Sequence, residues 1–280
     1  MTARAGWSAR FATASADAAQ GAYEGVLVPR LFAPWAELLA DQLALAPGES
    51  VLDVACGPGT VARVAANRVG RSGRVIGVDF SPAMIAVAEG KPAAPDDAPI
   101  SYRVGPADVI PVRGQDVDVV TCQHGLQFFP DRPAALAEMH RVLREGGRLG
   151  IAVWCSIAEC PPFAALAAGI ADVLGEQLAA TYRGGPWGLT DTSELVRLAE
   201  GGGFDDVQIT RLELPLIFDG GAAQMVESLA VTAVAAEVAG LDYRGRQRLV
   251  DAVSRAAAPI SDGDVVRSST AANLMLARRR

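Results

Sequence analysis

Two aspartates and a glycine-rich turn are the first residues of this chain whose types and spacing point to chemistry. Asp53 lies in the apolar run 51–54, which leads directly into Gly57-Pro58-Gly59-Thr60-Val61-Ala62. Asp79 follows Gly59 by 20 residues and ends a second β-branched run, 74–78. Glycines between a strand and a helix let backbone N–H groups approach a ligand closely, although a ligand-free turn can want them equally. A carboxylate at the end of the next strand changes that balance, because it can accept both hydroxyls of a ribose. Helix capping is the other use for such an acid, but Ser81 already fills the cap position. His124 is the further candidate: it follows the run 117–121, at the edge where ligands lie in α/β sheets. Its ordinary pKa suits a general base, and lining a pocket or making a local hydrogen bond is the simpler role.

Other chemistries are absent from the sequence. Lys91 is the only lysine, set in the loop-like Gly90-Lys91-Pro92-Ala93, a poor place for a Schiff base. No G-x-x-x-x-G-K-[ST] occurs, which removes phosphate-loop kinases and ATPases. Cys56, Cys122, Cys155 and Cys160 form no C-x-x-C pair, and with His124 and His140 they give no zinc spacing, so reduced, mostly buried thiols and no required metal are expected. A formal charge of −7 and a pI near 5.0 argue against a nucleic-acid partner. Arg278-Arg279-Arg280, the one basic cluster, reads as a solvated tail. No apolar run reaches the roughly eighteen residues of a membrane span, and the first residues lack the apolar core of a secretory signal, so a cytoplasmic location is expected.

These residues need a frame to hold them. The β-branched runs 51–54, 74–78, 117–121 and 148–154 alternate with helical periodicity, such as Val61, Val64, Ala65 and Val69 between the first two. Ser81-Pro82 starts a second crossover helix containing Met84, Ile85 and Ala88, and Asp131 caps a third that runs through Leu143 and stops at Gly146-Gly147. Right-handed crossovers then give a doubly wound α/β core with a mostly parallel sheet. Residues 159–202 are alanine-rich and helical, 207–216 and 268–277 are late strands, and 222–258 is helical again. The expected division is 1–45 as an N-terminal helical lid, 46–217 as the core with a helical segment at 155–190, 218–263 as a helical lid insertion, and 264–280 as the last strand.

At this point the chain resembles class I S-adenosylmethionine (SAM)-dependent methyltransferases, in the branch of ubiquinone and menaquinone C-methyltransferases. The segments carrying the resemblance are Val51 to Thr60 (VLDVACGPGT), Gly77 to Met84 (GVDFSPAM), Gly105 to Asp108 (GPAD), Asp118 to His124 (DVVTCQH) and Glu138 to Gly147 (EMHRVLREGG), in the right order and spacing. It covers roughly residues 20–154, the late strands only loosely and the helical insertion not at all. Ala55 stands where the family usually has a first glycine, and Pro106 where aspartate is commoner. The resemblance implies a Rossmann-like, mostly parallel sheet of about seven strands with helical lids. It implies that Asp53 and the loop Ala55, Gly57, Gly59 hold the methionine part of SAM and that Asp79 binds the ribose. Phe80 and Met84 would flank the adenine, unless they only pack the core. The Ala107 backbone and the Asp108 carboxylate would read its edge, the Gln123 backbone would lie near the cofactor, and Tyr23 would close over it.

Methyl transfer to a small, apolar or aromatic metabolite, at oxygen or carbon, with S-adenosylhomocysteine (SAH) as product, is the function so implied. Positioning two bound reactants can contribute about 7–11 kcal/mol, so a base such as His124 is optional. Trp7, Trp35, Tyr182, Trp187 and Tyr243 fall in the lid segments, where they can line a pocket or pack helices. Thr121-Cys122-Gln123-His124 contains no Asn/Asp-Pro-Pro-aromatic set, against methylation of a nucleic-acid amino group. Two other readings remain: a SAM-binding protein with cyclase-like or regulatory use of the fold, and an NAD-dependent oxidoreductase. The latter lacks a Tyr-x-x-x-Lys pair, since Val87 stands four residues before Lys91. Homo-oligomer formation is open.

Overall fold

The computed structural model describes residues 19–92 and 94–280. Its strands are β1 (Ser50–Val54), β2 (Arg74–Asp79), β3 (Ile100–Val104), β4 (Val117–Gln123), β5 (Leu143–Trp154), β6 (Asp205–Phe218), β7 (Ser261–Asp262) and β8 (Val265–Arg278). They lie in the order β3-β2-β1-β4-β5-β8-β6, with β7 paired to β8. Parallel registers join β1 to β2 and β4, β2 to β3, and β4 to β5. The chain thus walks outward from β1 to β3 and returns on the other side of β1 as β4. That reversal opens a crevice at the carboxyl ends of β1 and β4, as expected for a doubly wound sheet.

Local sequence explains these elements. Every residue of β1 is buried, which is why it reads as a continuous apolar run rather than an alternating one. Each fully buried Val or Leu there contributes about 1.5–3 kcal/mol. Helix α2 (Thr60–Val69) follows α1 (Ala33–Gln42) and buries Val61, Ala62, Ala65, Ala66 and Val69. Helix α3 (Pro82–Glu89) starts with Ser81 Oγ accepting the Met84 N–H at 3.4 Å, and α4 (Arg132–Val142) with Asp131 Oδ1 accepting the Ala134 N–H at 2.9 Å.

Three features differ from the sequence expectation. Helix α4 ends at Val142, because Leu143 already pairs with Val117; a bulge then absorbs Gly146, whose φ is +75°. Strand β3 has no counterpart among the expected runs: as an edge strand it is mostly exposed, so Ser101, Tyr102 and Arg103 show no apolar signature. The helical stretch 222–258 is broken into α8 (Gly221–Glu227), a 3₁₀ turn (Ser228–Val231), α9 (Ala235–Ala239) and α10 (Tyr243–Ala257), whose start is capped by Asp242. Between α4 and β6 lie α5 (Pro161–Leu174), α6 (Glu176–Arg183) and α7 (Thr192–Gly201).

The chain divides into two compact units. One comprises residues 33–153, 191–211 and 273–280; its core includes Trp35, Leu39, Leu52, Leu126, Leu136, Met139, Leu143, Leu149 and Ile151. The other comprises the described residues up to Phe32 with 154–190 and 212–272, so β6 and β8 supply residues to both. In this helical unit α5 crosses α10 closely: a Cβ on Gly169 would lie 3.1 Å from the Val253 nitrogen. Trp187 packs against Tyr182 and Phe163 with ring centroids 5.4 and 5.6 Å apart. The π-helical segment Ala19–Phe32 carries Tyr23 stacked on Phe32 at 4.9 Å. Among the described residues no helix is long and apolar enough to cross a membrane.

Candidate functional site

The crevice is built by three turns. The first leaves β1 through Ala55, whose φ of +56° is left-handed, then Gly57 at +51° and Gly59 at +80°. Glycine suits such angles, whereas alanine at 55 carries strain. The turn is tied to its neighbours by the Cys56 N–H donating to the Val78 carbonyl at 3.0 Å and the Gly57 N–H donating to Asp79 Oδ2 at 2.9 Å. Outside the turn, the Pro58 carbonyl accepts from Lys91 Nζ at 2.8 Å and Arg63 Nη1 at 3.0 Å. The solitary lysine thus steadies the glycine turn, a use that its loop setting did not reveal.

Gly59 and Gly77 are required by one side chain. Tyr102 on β3 lies over both; a Cβ at 59 would collide with its hydroxyl and one at 77 would come within 2.6 Å of its ring. Burial pushes the Tyr102 hydroxyl above the usual phenol range, against the pull of the Arg63 guanidinium. It is therefore neutral.

Asp53 and Asp79 are the two buried acids. Asp53 is 1% exposed; Oδ1 accepts from Thr121 Oγ1 at 2.8 Å, the Ala62 backbone N–H also favours the charged carboxylate, and Oδ2 is buried with no partner at hydrogen-bond distance among the described residues. Burial raises its pKa to about 7; the Thr121 hydrogen bond works against the rise and the Asp79 charge adds to it. Asp79 is also raised by burial, against the pull of the Ser81 and Gly57 N–H groups on its two oxygens, each at 2.9 Å. Each oxygen of a carboxylate keeps a second lone pair after such a bond, so Asp79 can still accept two hydroxyls.

The second turn surrounds the end of β2. Phe80 is 47% exposed, Val104 at the end of β3 52%, and Val109 66%. The register sets Val104 beside Asp79. Large apolar side chains left in water next to a buried acid suit a ligand with an apolar face and polar edges. Met84 is buried in the first turn of α3, Ala107 is half-buried, and Asp108 is exposed beside Val109. Val104 and Val109 had no sequence signal, since β3 itself was not legible.

The third turn follows β4. Gln123 ends that strand, and His124 has a φ of +54° with its N–H donating to the Ala152 carbonyl at 2.8 Å. Gly125 meets the first turn: a Cβ there would lie 2.7 Å from Ala55 Cβ. The His124 ring is buried edge-on to Trp35, centroids 5.9 Å apart, and burial drives its pKa down to about 3. At that value the His124 ring is neutral at ordinary pH and weakly basic, whereas the sequence reading took an ordinary histidine pKa. Trp35 is spent on that contact and Tyr182 is buried against Trp187, whereas Tyr243 is exposed; Trp7 lies outside the described residues. His140 meets Phe204 edge-on at 5.3 Å, a packing role. Among the described residues no group of three His, Cys, Asp or Glu side chains is placed to hold a metal, and all four cysteines are buried.

The family described as a methyltransferase domain matches residues 51–147, the segment that builds all three turns. Residues 51–147 thus carry a methyltransferase domain. A 2-phytyl-1,4-naphthoquinone methyltransferase of Thermosynechococcus vestitus is 40% identical over 118 residues, covering 42% of this chain and 51% of the relative. A nocamycin O-methyltransferase of Saccharothrix syringae is 36% identical over 135 residues, 48% of each chain. This chain therefore spans about half the length of these relatives. Among solved structures, the YcgJ protein of Bacillus subtilis aligns with a TM-score of 0.55 at 16% identity, covering 88% of this chain and 97% of that one. A putative methyltransferase of Bacillus halodurans gives 0.53 at 19% identity over 87% and 98%. At such identities the structures show a shared fold.

The methyltransferase domain joins the turn after β1 to Asp79 through the Gly57 N–H, with Phe80 and Met84 following β2 and Ala107 and Asp108 following its neighbour β3. Gln123 and His124 meet it through Gly125. Tyr23 belongs to the other unit.

Proposed function

We propose that this chain is a SAM-dependent methyltransferase that moves a methyl group to an oxygen or carbon of a small apolar or aromatic metabolite. The observation carrying this reading is the pair of buried acids around the glycine turn, with Asp53 Oδ2 unpartnered among the described residues and Asp79 tying the turn to β2. An ammonium satisfies the first and a ribose diol the second, which is the polar pattern of SAM. Asp53 with Ala55, Gly57 and Gly59 holds the methionine part, and Asp79 holds the ribose. Phe80 covers the adenine, backed by Met84, while the Ala107 backbone and Asp108 read its edge. The Gln123 backbone lies beside the cofactor, and Tyr23 is the lid contact; the division proposed is 46–217 and 264–280 for the core, with 155–190 as its helical segment, and 1–45 and 218–263 for the lid, of which residues 1–18 lie outside the described residues.

SAM supplies a methyl group on a sulfonium, a good leaving group for in-line displacement by the acceptor. The protein's work is to bind both partners in line and exclude water. Neutral His124 and its neighbour Trp35 add no cation near the sulfonium, so His124 shapes the pocket and accepts a proton only where the acceptor is strongly acidic. The formal charge of −7 supports a free small molecule rather than nucleic acid as acceptor. A cytoplasmic site of action belongs to the same proposal, which leaves homo-oligomer formation open.

Calorimetric titration with SAM, SAH and NAD(H), on the wild type and Asp79→Ala, tests the reading. Binding of both adenosyl ligands, lost in the variant, together with a methyl mass gain on an acceptor and release of SAH, is expected. Binding of NAD(H) alone would favour an oxidoreductase, and SAM binding with unconsumed SAM a cyclase-like or regulatory protein.

A further inference from the structure

The loop after β3 is fastened at two feet and exposed between them. Its first foot is Gly105, whose N–H donates to the Asp79 carbonyl at 2.9 Å. Its second is the buried Ile110, where a pair of side chains one turn apart on α4 takes both backbone hydrogen-bonding groups: Glu138 Oε2 accepts the Ile110 N–H at 2.9 Å, and Arg141 Nη2 donates to the Ile110 carbonyl at 3.0 Å. Arg141 Nη1 also donates to the Val112 carbonyl at 3.0 Å. The pair itself is joined edge to edge, Nε to Glu138 Oε1 at 2.6 Å and Nη2 to Oε2 at 2.8 Å, so each side chain orients the other. Helix α4 is secured in turn by Arg279, whose Nη1 donates to the His140, Arg141 and Leu143 carbonyls at 2.7, 3.1 and 2.7 Å; this member of the terminal arginine cluster is not a solvated tail.

Between the feet, Pro106, Asp108 and Val109 are exposed and Ala107 is half-buried, with the Val109 N–H donating to the Pro106 carbonyl at 3.4 Å inside the arch. So short an arch goes where its feet go. A glutamate and an arginine at i and i+3 on a helix ordinarily make a surface pair worth little, but this one aims its remaining donors and an acceptor at another element. Adenine presents an acceptor at N1 beside a donor at its 6-amino group, the complement of a backbone N–H beside a carboxylate. We infer that Glu138 and Arg141 are positioning residues for base recognition: by fixing Ile110 and Val112 they set the Ala107 N–H and the Asp108 carboxylate at the spacing that accepts adenine and rejects other bases. This rests on the SAM assignment above. The pair acts through the loop, since a misplacement of about 1 Å is enough to spoil two hydrogen bonds to one edge.

The test compares Arg141→Met, which removes the bonds to Ile110, Val112 and Glu138, with Arg141→Lys, whose single ammonium keeps the charge but cannot span both carbonyls. Two probes are titrated by calorimetry: SAH, and S-inosylhomocysteine, which keeps the ribose and the amino-acid end but carries an oxygen in place of the 6-amino group and a hydrogen on N1. The wild type should prefer SAH by about a hundredfold or more. In Arg141→Met, SAH should bind about tenfold or more weakly while S-inosylhomocysteine changes little, so the preference collapses. Arg141→Lys should lie between the two, and it carries the test alone if the first variant does not fold. A purely structural role would lower the melting temperature and leave the preference at its wild-type value. That result, equal losses for both probes, or a wild type without preference would each overturn the inference. Failure of the wild type to bind SAH would instead remove the SAM assignment, and this inference with it.

Discussion

Asp79 Oδ2 accepts the backbone N–H of Gly57 at 2.9 Å, so the acid at the end of β2 sets the shape of the turn after β1. Its other oxygen takes the Ser81 N–H, which fixes the start of α3 as well. One side chain therefore joins the adjacent parts of the site. Asp79→Ala should cost about 2–4 kcal/mol in chemical denaturation, because two N–H groups lose a carboxylate acceptor. It should also weaken SAH binding at least about tenfold. Full SAH affinity in a destabilised variant would confine Asp79 to a structural role.

Ala55 and Gly125 form a coupled pair. Ala55→Gly relieves a left-handed φ and should be neutral to stabilising by about 1 kcal/mol. Gly125→Ala places a Cβ 2.7 Å from Ala55 Cβ and should destabilise by about 1–3 kcal/mol. In the Ala55→Gly background part of that loss should vanish; the rest stays, since Cys122 Sγ also lies 3.0 Å from the new Cβ. Additive losses in a double-mutant cycle would show that the two turns are not in contact.

Gly59→Ala meets both a φ of +80° and the Tyr102 hydroxyl. A loss of about 2–4 kcal/mol is expected, with weaker SAH binding because the turn must open. Tyr102→Phe in the same chain should recover part of the stability by removing the colliding oxygen. No recovery would leave backbone strain as the whole effect.

The two buried titratable groups of the site oppose one another with pH. The Asp53 carboxyl is raised to about 7, so its contribution to stability is full below its unfolded pKa near 4 and is lost as pH rises through about 7. His124 is lowered to about 3, so its contribution is present above its unfolded pKa near 6.5 and is lost as pH falls toward 3. Across pH 4 to 7, Asp53→Asn should remove a destabilisation on raising the pH, and His124→Asn should remove a destabilisation on lowering it. Denaturant midpoints measured across this range check both signs; slopes that change in the reverse directions would contradict the burial of these groups.

Much of the site was legible because the motif residues lie on central elements. Asp53 and Asp79 are in or at the end of strands whose buried apolar runs mark them, and Ser81 and Asp131 announce their helices. Tyr102, Val104 and Val109 were not legible, because an exposed edge strand carries no apolar alternation. Lys91 and Arg63 gave no hint that they share the Pro58 carbonyl, since the lysine reaches it across 33 residues. The end of α4 was misplaced because Gly146 serves a bulge rather than a helix stop.

The sequence by itself determined the alternation of strands and helices, the order of the motif residues and the family of residues 51–147, because periodicity and glycine turns are local properties of the chain. Only the tertiary structure decided the charge states and the partners. His124 is neutral because Trp35 and the folded core exclude water from it, and Asp53 is proton-hungry because β4 and the Asp79 carboxylate close around it. Desolvation is set by what packs against a group from distant parts of the chain, and no spacing in the sequence records it.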